Sequence, residues 1–519
     1  MSEVRPNVIY ILGDDQRGDH LGVAGHPVLR TPHLDRLAAE GVFFRNAFCT
    51  SPLCTPSRAC HYLGQWERRH GIQFYNGWAV APPAWEQSFP MRLKAEGYFL
   101  GWVGKNHVPV GQGGYDSGYL ESVFDYWYGN HGHSTFYPKE HLWRDTGRLY
   151  RNAKADTQVE VFWEGARAFL APDPAFLSSC PRPLPRRPED RPFCLCVTFN
   201  LPHCASTGTM QLRPSDDELY KSAYRDLQQE LRPPKTWKDW NCEPKLPRHV
   251  WNGLYISSYD WVKTAPALRE RQVRTCQTLT GVDRFVGWLR ELLERLNLHR
   301  NTIIVFSTDH GLHFGEHGIG GKVFMYEEDL RIPLVVYDPR SPASAAGRVR
   351  DEFALVPDLA PTVLELCGLP PSPGMQGRSL APLLSGGKPE WREDFFAENL
   401  FDHQNYPRCE CVRAREWKYI RYFRRTEDPA QSGRLIRSTL DRYAEKRLAS
   451  LRGEPALYEE LYHLAEDPGE ERNLAQDRSA AGMLDALRRR IQVLGAEALA
   501  ETEQPAVVDA EKSNSTPRG

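Results

Sequence analysis

"NVIYILGDDQRGDHLGVAGHPVLRTPHLDRLAAEG", residues 7–41, sets the frame for the whole chain. Its opening run from Asn7 to Leu12 is short and apolar without alternation, the pattern of a strand buried on both faces. The run ends on Asp14 and Asp15, and a polar loop follows. The chain then enters a helix, with Thr31 as N-cap, Pro32 at the first helical position and Gly41 as C-cap. Strand, charged loop and helix in that order form the first half of an α/β unit.

The same pattern recurs. "FLGWV" (99–103), "FCLCVTF" (193–199), "TIIVFS" (302–307) and "IPLVVY" (332–337) read as further buried parallel strands. Helices lie between them: an amphipathic pattern runs from Val273 to Leu296, and "VPDLAPTVLELCGLPP" stops at Gly368 ahead of Pro370 and Pro371. Strands alternating with helices over this length predict an open α/β sheet covered on both faces. Composition shifts at "SGGKPEWRED" (385–394), which reads as a linker. Beyond it, "CVRAREWKYIRYF" and "ALYEELYHL" predict antiparallel strands, and Leu484, Leu487, Ile491 and Leu494 share one face of a helix. The expected division is residues 1–385, a subdomain over 386–502, and a flexible tail over 503–519. "RPLPRRPEDRP" (181–192) reads as a surface insertion.

Composition narrows the functional classes. The 519 residues carry 65 basic and 67 acidic side chains, a net charge of -2, which gives no electrostatic case for nucleic acid or an anionic membrane. The N-terminal apolar run is too short for a signal peptide, and no segment approaches the roughly 20 apolar residues of a membrane span. The expected location is cytoplasmic. Twelve cysteines in a chain this long are not a disulfide framework. Cys194 with Cys196, and Cys409 with Cys411, read as strand faces rather than zinc ligands, since no second pair stands at finger spacing.

The chemistry collects where strands end. Asp14 and Asp15 follow the first strand, Lys105 and His107 the second, His203 the third, and Asp309 and His310 the fourth. In open α/β sheets, ligands bind at the carboxyl ends of strands, so four strands point polar groups at one edge. Adjacent aspartates repel unless a cation lies between them. Asp14, Asp15, Asp309 and His310 make an oxygen-rich set with one nitrogen, suited to Ca²⁺, Mg²⁺ or Mn²⁺. The aspartate pair alone also suits a helix N-terminus.

"SPLCTPSRAC" (51–60) holds Cys54 two residues before Pro56 and four before Arg58. Pro56 fits the first turn of a helix, which sets Cys54 at the helix N-terminus, facing any bound anion. An unmodified thiol there is acidic and reactive, the basis of a thiol-redox alternative, but no Cys-X-X-Cys accompanies it. Cys49 and Cys60 read as small buried hydrophobes.

These segments resemble the formylglycine-dependent (type I) sulfatases of the alkaline phosphatase superfamily. "LCTPSRAC" resembles the core motif and "GYFLGWVGKNH" the second signature. The opening stretch resembles the family's first metal segment, and "STDHG…GEHGIGGKVFMYEEDLRIPLVV" its later metal and lysine segment. "WKYIRYF…ELYHLAEDPGEERNLA" resembles its C-terminal subdomain. The resemblance runs over roughly residues 5–500 and is weakest between about 110 and 270.

The resemblance implies an alkaline-phosphatase-like fold: a mixed, mostly parallel sheet flanked by helices, with a smaller C-terminal antiparallel sheet and helix. It implies hydrolysis of a sulfate monoester, with Cys54 oxidised to formylglycine by a formylglycine-generating enzyme. One hydroxyl of the hydrated aldehyde attacks sulfur. Arg58 and Lys105 hold the diol, and His107 acts as base. Asp14, Asp15, Asp309, His310 and an oxygen of modified Cys54 bind the cation, with Ca²⁺ first. His203 and Lys322 contact the sulfate and assist the leaving oxygen. His317 is a further candidate for the pocket. A sulfate ester is surrounded by anionic oxygens, so cationic groups and a metal must neutralise it before attack, which agrees with these roles.

Three positions depart from the family pattern. His310 stands where many members carry asparagine, and some phosphonate and phosphodiester hydrolases share the histidine. Asn106 replaces a common tryptophan, and Cys204-Ala205 follows His203 where a proline is frequent. The competing readings are a phosphonate monoester or phosphodiester hydrolase with the same nucleophile, and a non-catalytic relative that binds anionic glycans. For the substrate, a sulfated sugar or an aryl or alkyl sulfate, Trp78, Trp85, Trp127, Trp143, Trp237 and Trp240 are candidate pocket walls, with core packing the competing explanation.

Overall fold

The computed structural model describes residues 5–74, 77–142, 144, 146–206, 209–237, 245–251, 261–342, 345–402, 406–424, 446–499 and 507–509. Strands β1 (Asn7–Asp14), β2 (Val42–Phe44), β3 (Phe99–Asn106), β4 (Tyr126–His131), β5 (Phe193–Pro202), β6 (Thr302–Thr308), β7 (Leu334–Tyr337) and β8 (Arg348–Arg350) form one eight-stranded sheet in the order β8-β2-β7-β6-β1-β5-β3-β4. β1 lies at its centre, paired in parallel with β5 and β6. All strands run parallel to β1 except β7, which is antiparallel to both β6 and β2.

That direction corrects the parallel reading of "IPLVVY". β6 ends and β7 begins at the same sheet edge, and the stretch between Asp309 and Pro333 contains no crossover helix, its longest helix being the single turn Glu327–Leu330. Without a crossover the chain has to return antiparallel. A run buried on both faces carries no mark of direction.

The alternation along β1 divides the core. Val8, Tyr10 and Leu12 join a cluster with helix α2 (Cys54–Leu63), and Ile9 and Ile11 join a second cluster with α1 (Pro32–Glu40), α3 (Gln158–Leu170) and α4 (Ala265–Arg295). α4 starts eight residues before the apolar pattern predicts, because its first turns are set by the Thr264 cap and Pro266 rather than by apolar spacing. Thr31 stands at the cap position of α1 without capping it. Asp283 of α4 reaches across instead and accepts from the His33 and Leu34 amides at 3.3 and 2.7 Å. Burial raises this carboxyl to about 7 against those two backbone bonds.

The C-terminal antiparallel sheet has strands β9 (Asp394–Asn399), β10 (Arg408–Ala414), β11 (Trp417–Phe423) and β12 (Tyr458–His463) in that order. Cys409, Cys411, Ile420 and Tyr422 face the main core, which accounts for the cysteine spacing. Cys194 and Cys196 likewise lie in that core. On the other face, Phe396, Val412, Tyr419 and Leu461 meet Leu484, Leu487, Ile491 and Leu494 of helix α5 (Ala481–Leu499). Each such side chain contributes about 1.5–3 kcal/mol on burial. Within the C-terminal tail, Val507–Asp509 pair with Trp78–Val80, so these three residues are ordered as a strand; the rest of the tail lies outside the described residues. No described helix is long and apolar enough to cross a membrane.

Candidate functional site

β1 delivers Asp14 and Asp15, and strand geometry alone would send neighbouring side chains to opposite faces. The backbone turns left-handed at Asp15, with φ of 64°, a conformation aspartate tolerates better than most residues. As a result the Asp15 amide donates to Asp309 Oδ1 at 3.2 Å while the Asp14 and Asp15 carboxylates remain in one centre. Gly104 plays the matching part on β3. Its φ is 93°, and a Cβ there would sit 2.2 Å from the Thr198 carbonyl, so only glycine lets β3 press against β5 just before Lys105.

Cys54 is the first residue of α2, as its motif predicts. Pro56 sits within the first turn, where its missing N–H costs nothing. Ser57 Oγ donates to the Asp309 carbonyl at 2.5 Å, so the motif serine ties the helix to the end of β6. Arg58, one turn on, is 1% exposed. Its Nε donates to Asp309 Oδ2 at 2.9 Å, and Nη2 donates to the Gly13 and Phe199 carbonyls at 3.0 and 3.2 Å. Nη1 is buried with no hydrogen-bond partner among the described residues.

Around Cys54 Sγ stand Lys322 Nζ at 2.9 Å, His310 Nε2 at 3.4 Å and Asp14 Oδ1 at 3.5 Å. Lys322 Nζ also donates to Asp15 Oδ1 at 2.9 Å, and Lys105 is paired with Asp14 Oδ2. Burial alone would raise the Asp14 carboxyl, but Lys105, with His203, Arg58 and Lys322, holds it well below its ordinary range. His310 donates from Nδ1 to the Gly311 carbonyl at 2.9 Å, leaving Nε2 toward Cys54. Burial lowers this histidine, yet Asp309 outweighs it and lifts the group to about 9.

His107 follows β3 and is buried between Phe74, Tyr115 and His133. Its Nδ1 has no hydrogen-bond partner among the described residues, and burial, then Lys105 and His133, hold it neutral well below the usual histidine range. His203 follows β5, with Nε2 3.8 Å from Asp15 Oδ2. Burial, Lys322 and Lys105 depress it against the pull of Asp14. His317 is held in the same loop as Lys322 with φ of 58°, and its ring packs on Tyr326 at 4.7 Å, next to the C-terminal sheet. Trp85 and Trp127 are core residues, Trp85 tilted against Tyr62 and Trp127 stacked on Trp102. Trp237 packs against the loop at Gly315, and Trp143 and Trp240 lie outside the described residues.

Asp14, Cys54, Asp309 and His310 each offer a donor atom, all within 4.8 Å of one another. Asp15 Oδ2 is buried beside them and accepts no hydrogen bond among the described residues. Oxygen-rich donors with one imidazole and an orphaned carboxylate oxygen fit a hard divalent cation. Two contributors carried no motif. Tyr406 packs on Phe324 and Phe401 from the C-terminal half, and burial raises its hydroxyl against the opposing pull of Lys322. His133 stands in a loop after β4 and bridges His107 and His203.

A buried, unpaired guanidinium N–H beside lysines and a helix N-terminus calls for an oxygen-rich anion, and with carboxylates to hold a cation this defines a hydrolase of anionic esters. The sulfatase family matches residues 6–369, and the family of C-terminal segments of N-sulphoglucosamine sulphohydrolase matches residues 315–430. The chain belongs to the sulfatase family and is a sulfuric ester hydrolase. It is 26% identical over 482 residues to an N-acetylglucosamine-6-O-sulfatase of Bacteroides thetaiotaomicron, covering 81% of this chain and 79% of that one. A solved structure in complex with its substrate D-glucosamine-2-N,6-O-disulfate superposes with a TM-score of 0.63 at 19% identity, over 95% of this chain and 98% of that one. The phosphonate monoester hydrolase of Agrobacterium radiobacter superposes with a TM-score of 0.66 at 22% identity, over 97% and 99%. At these identities the solved structures speak to fold.

Proposed function

We propose that the protein hydrolyses a sulfate monoester, of a sugar or of an aryl or alkyl alcohol, at residue 54 matured by a formylglycine-generating enzyme. The observation that carries this reading is the surround of Cys54: a helix N-terminus with Lys322, His310 and Asp14 all within 3.5 Å of its sulfur. In the formylglycine form, residue 54 supplies a hydrated aldehyde: one hydroxyl attacks sulfur as the ester S–O bond breaks and the alcohol leaves, and the second then loses its proton so that the aldehyde reforms and sulfate is expelled. Asp14, Asp15, Asp309, His310 and residue 54 would hold the divalent cation, Ca²⁺ by preference, which would supply positive charge against the anionic ester. Arg58, through its unpaired Nη1, and Lys105 hold the nucleophile's oxygens. His107, kept neutral by its surroundings, accepts a proton. His203 and Lys322 orient the sulfuryl oxygens and the leaving oxygen.

Turnover of an aryl sulfate, an aryl phosphonate and an aryl phosphodiester tests the substrate. Sulfate is expected to have the highest kcat/KM; a preference for either phosphorus ester overturns the reading. His310 gives the phosphorus reading its one specific support, since some hydrolases of that kind share the histidine.

The cation is testable without turnover. Titrating Ca²⁺ into chelator-treated protein is expected to raise the melting temperature, with about 2.7 kcal/mol of added stability at 100 times Kd. Asp309→Asn should remove most of that rise. An unchanged melting curve across the titration would contradict the assignment.

A further inference from the structure

We infer that His133 is a substrate-binding residue of this centre, placed to take a sulfuryl oxygen between His107 and His203. The inference rests on the sulfatase reading and adds a residue to it.

His133 lies just past β4. There the Gly132 amide donates to the Asn106 carbonyl at 2.6 Å, and the Asn130 side chain donates to the His133 carbonyl at 3.3 Å. These bonds fix the loop against the end of β3, next to Lys105 and His107. The His133 ring stacks on His203 with centroids 5.0 Å apart and planes at 21°. It meets His107 edge-on at 4.5 Å and 68°. Three imidazoles thus line one wall, and the middle one has no assigned part in the chemistry.

Packing alone does not account for a histidine there. Its Nδ1 is buried and bonded to nothing among the described residues, a desolvation cost that an aromatic hydrocarbon of similar shape avoids. After burial, Lys105 and His203 push the ring's pKa down, Asp14 pushes it up and Lys322 pushes it down again, and the two ammonium groups favour an anion at this wall. Burial comes first among the influences that hold the ring neutral, with Lys105 and His203 next. A neutral imidazole keeps one N–H donor, and an anionic oxygen brought against the ring would satisfy the nitrogen that the described residues leave without a partner.

The test uses His133→Phe, which keeps the ring contacts and removes both nitrogens, and His133→Asn, which keeps a donor. Inorganic sulfate is titrated calorimetrically into Ca²⁺-loaded Cys54→Ala protein with and without each change, and aryl sulfate kcat/KM is measured in the Cys54 background. His133→Phe is expected to weaken sulfate binding and lower kcat/KM by about tenfold each, with the melting temperature equal or higher, while His133→Asn recovers part of the loss. Sulfate affinity and kcat/KM within twofold of the parent would overturn the inference. So would a loss accompanied by a lower melting temperature and not relieved by asparagine, which marks a packing role. If the Cys54→Ala parent itself binds no sulfate, the underlying anion site fails, a result distinct from a parent that binds and a variant that is unchanged.

Discussion

Replacing Cys54 by alanine is expected to abolish sulfate-ester hydrolysis while leaving the protein folded. The loss in kcat should be on the order of 10⁴-fold or more, because removal of the proposed covalent nucleophile leaves only binding and electrostatic stabilisation. The side chain stands at the start of α2 and donates no bond on which the helix depends; Ser57 and Arg58 hold that helix to Asp309. The cost to stability should therefore stay near 1 kcal/mol, the usual effect of a small buried truncation. Cys49 provides the control. Its buried thiol donates to the Asp329 carbonyl at 3.4 Å, and no hydrogen bond among the described residues ties it to a side chain of the centre, so Cys49→Ala should keep activity within a few-fold. Equal loss in both variants, or retained activity in Cys54→Ala, would remove Cys54 from the mechanism.

The second large effect belongs to Arg58. Its guanidinium is the buried partner of Asp309 and the donor to two strand-end carbonyls, and both charged side chains are at most 1% exposed. Arg58→Met keeps the length and removes every donor. In chelator-treated protein it should cost about 3–5 kcal/mol, since Asp309 loses its buried guanidinium partner and keeps only His310 beside it. A cation held there would take over part of that charge balance, so the deficit should shrink when Ca²⁺ is added. Activity should fall by about 10²–10³ even with the cation present, because the unpaired Nη1 is lost as well. Denaturant unfolding with and without Ca²⁺, alongside kcat, separates the two losses. A variant as stable as the parent in chelator would show that Asp309 does not need this partner.

Much of the centre was legible in the chain because its residues stand at strand ends, and strands buried on both faces announce themselves as unbroken apolar runs. β1, β3, β5 and β6 are of this kind, and each delivers the charged residues expected of it. The direction of β7 was not legible, since an apolar run is the same read either way. β2 and β8 have three residues each, too few for any periodicity. Trp85 and Trp127 offered no sign that they belong to the core rather than to a pocket, since indole serves both purposes. His133 could not be found from its neighbours in sequence. It matters only because β4 pairs with β3 and brings one loop histidine against two others.

The account turns on the chemical state of residue 54, and one mass measurement reads it. Trypsin should release "NAFCTSPLCTPSR", residues 46–58, from active enzyme made alongside a formylglycine-generating enzyme. Conversion of Cys54 makes the peptide about 18 Da lighter than the free-thiol form, with fragment ions placing the loss at residue 54 and not at Cys49. An active preparation whose peptide keeps both thiols would contradict the account.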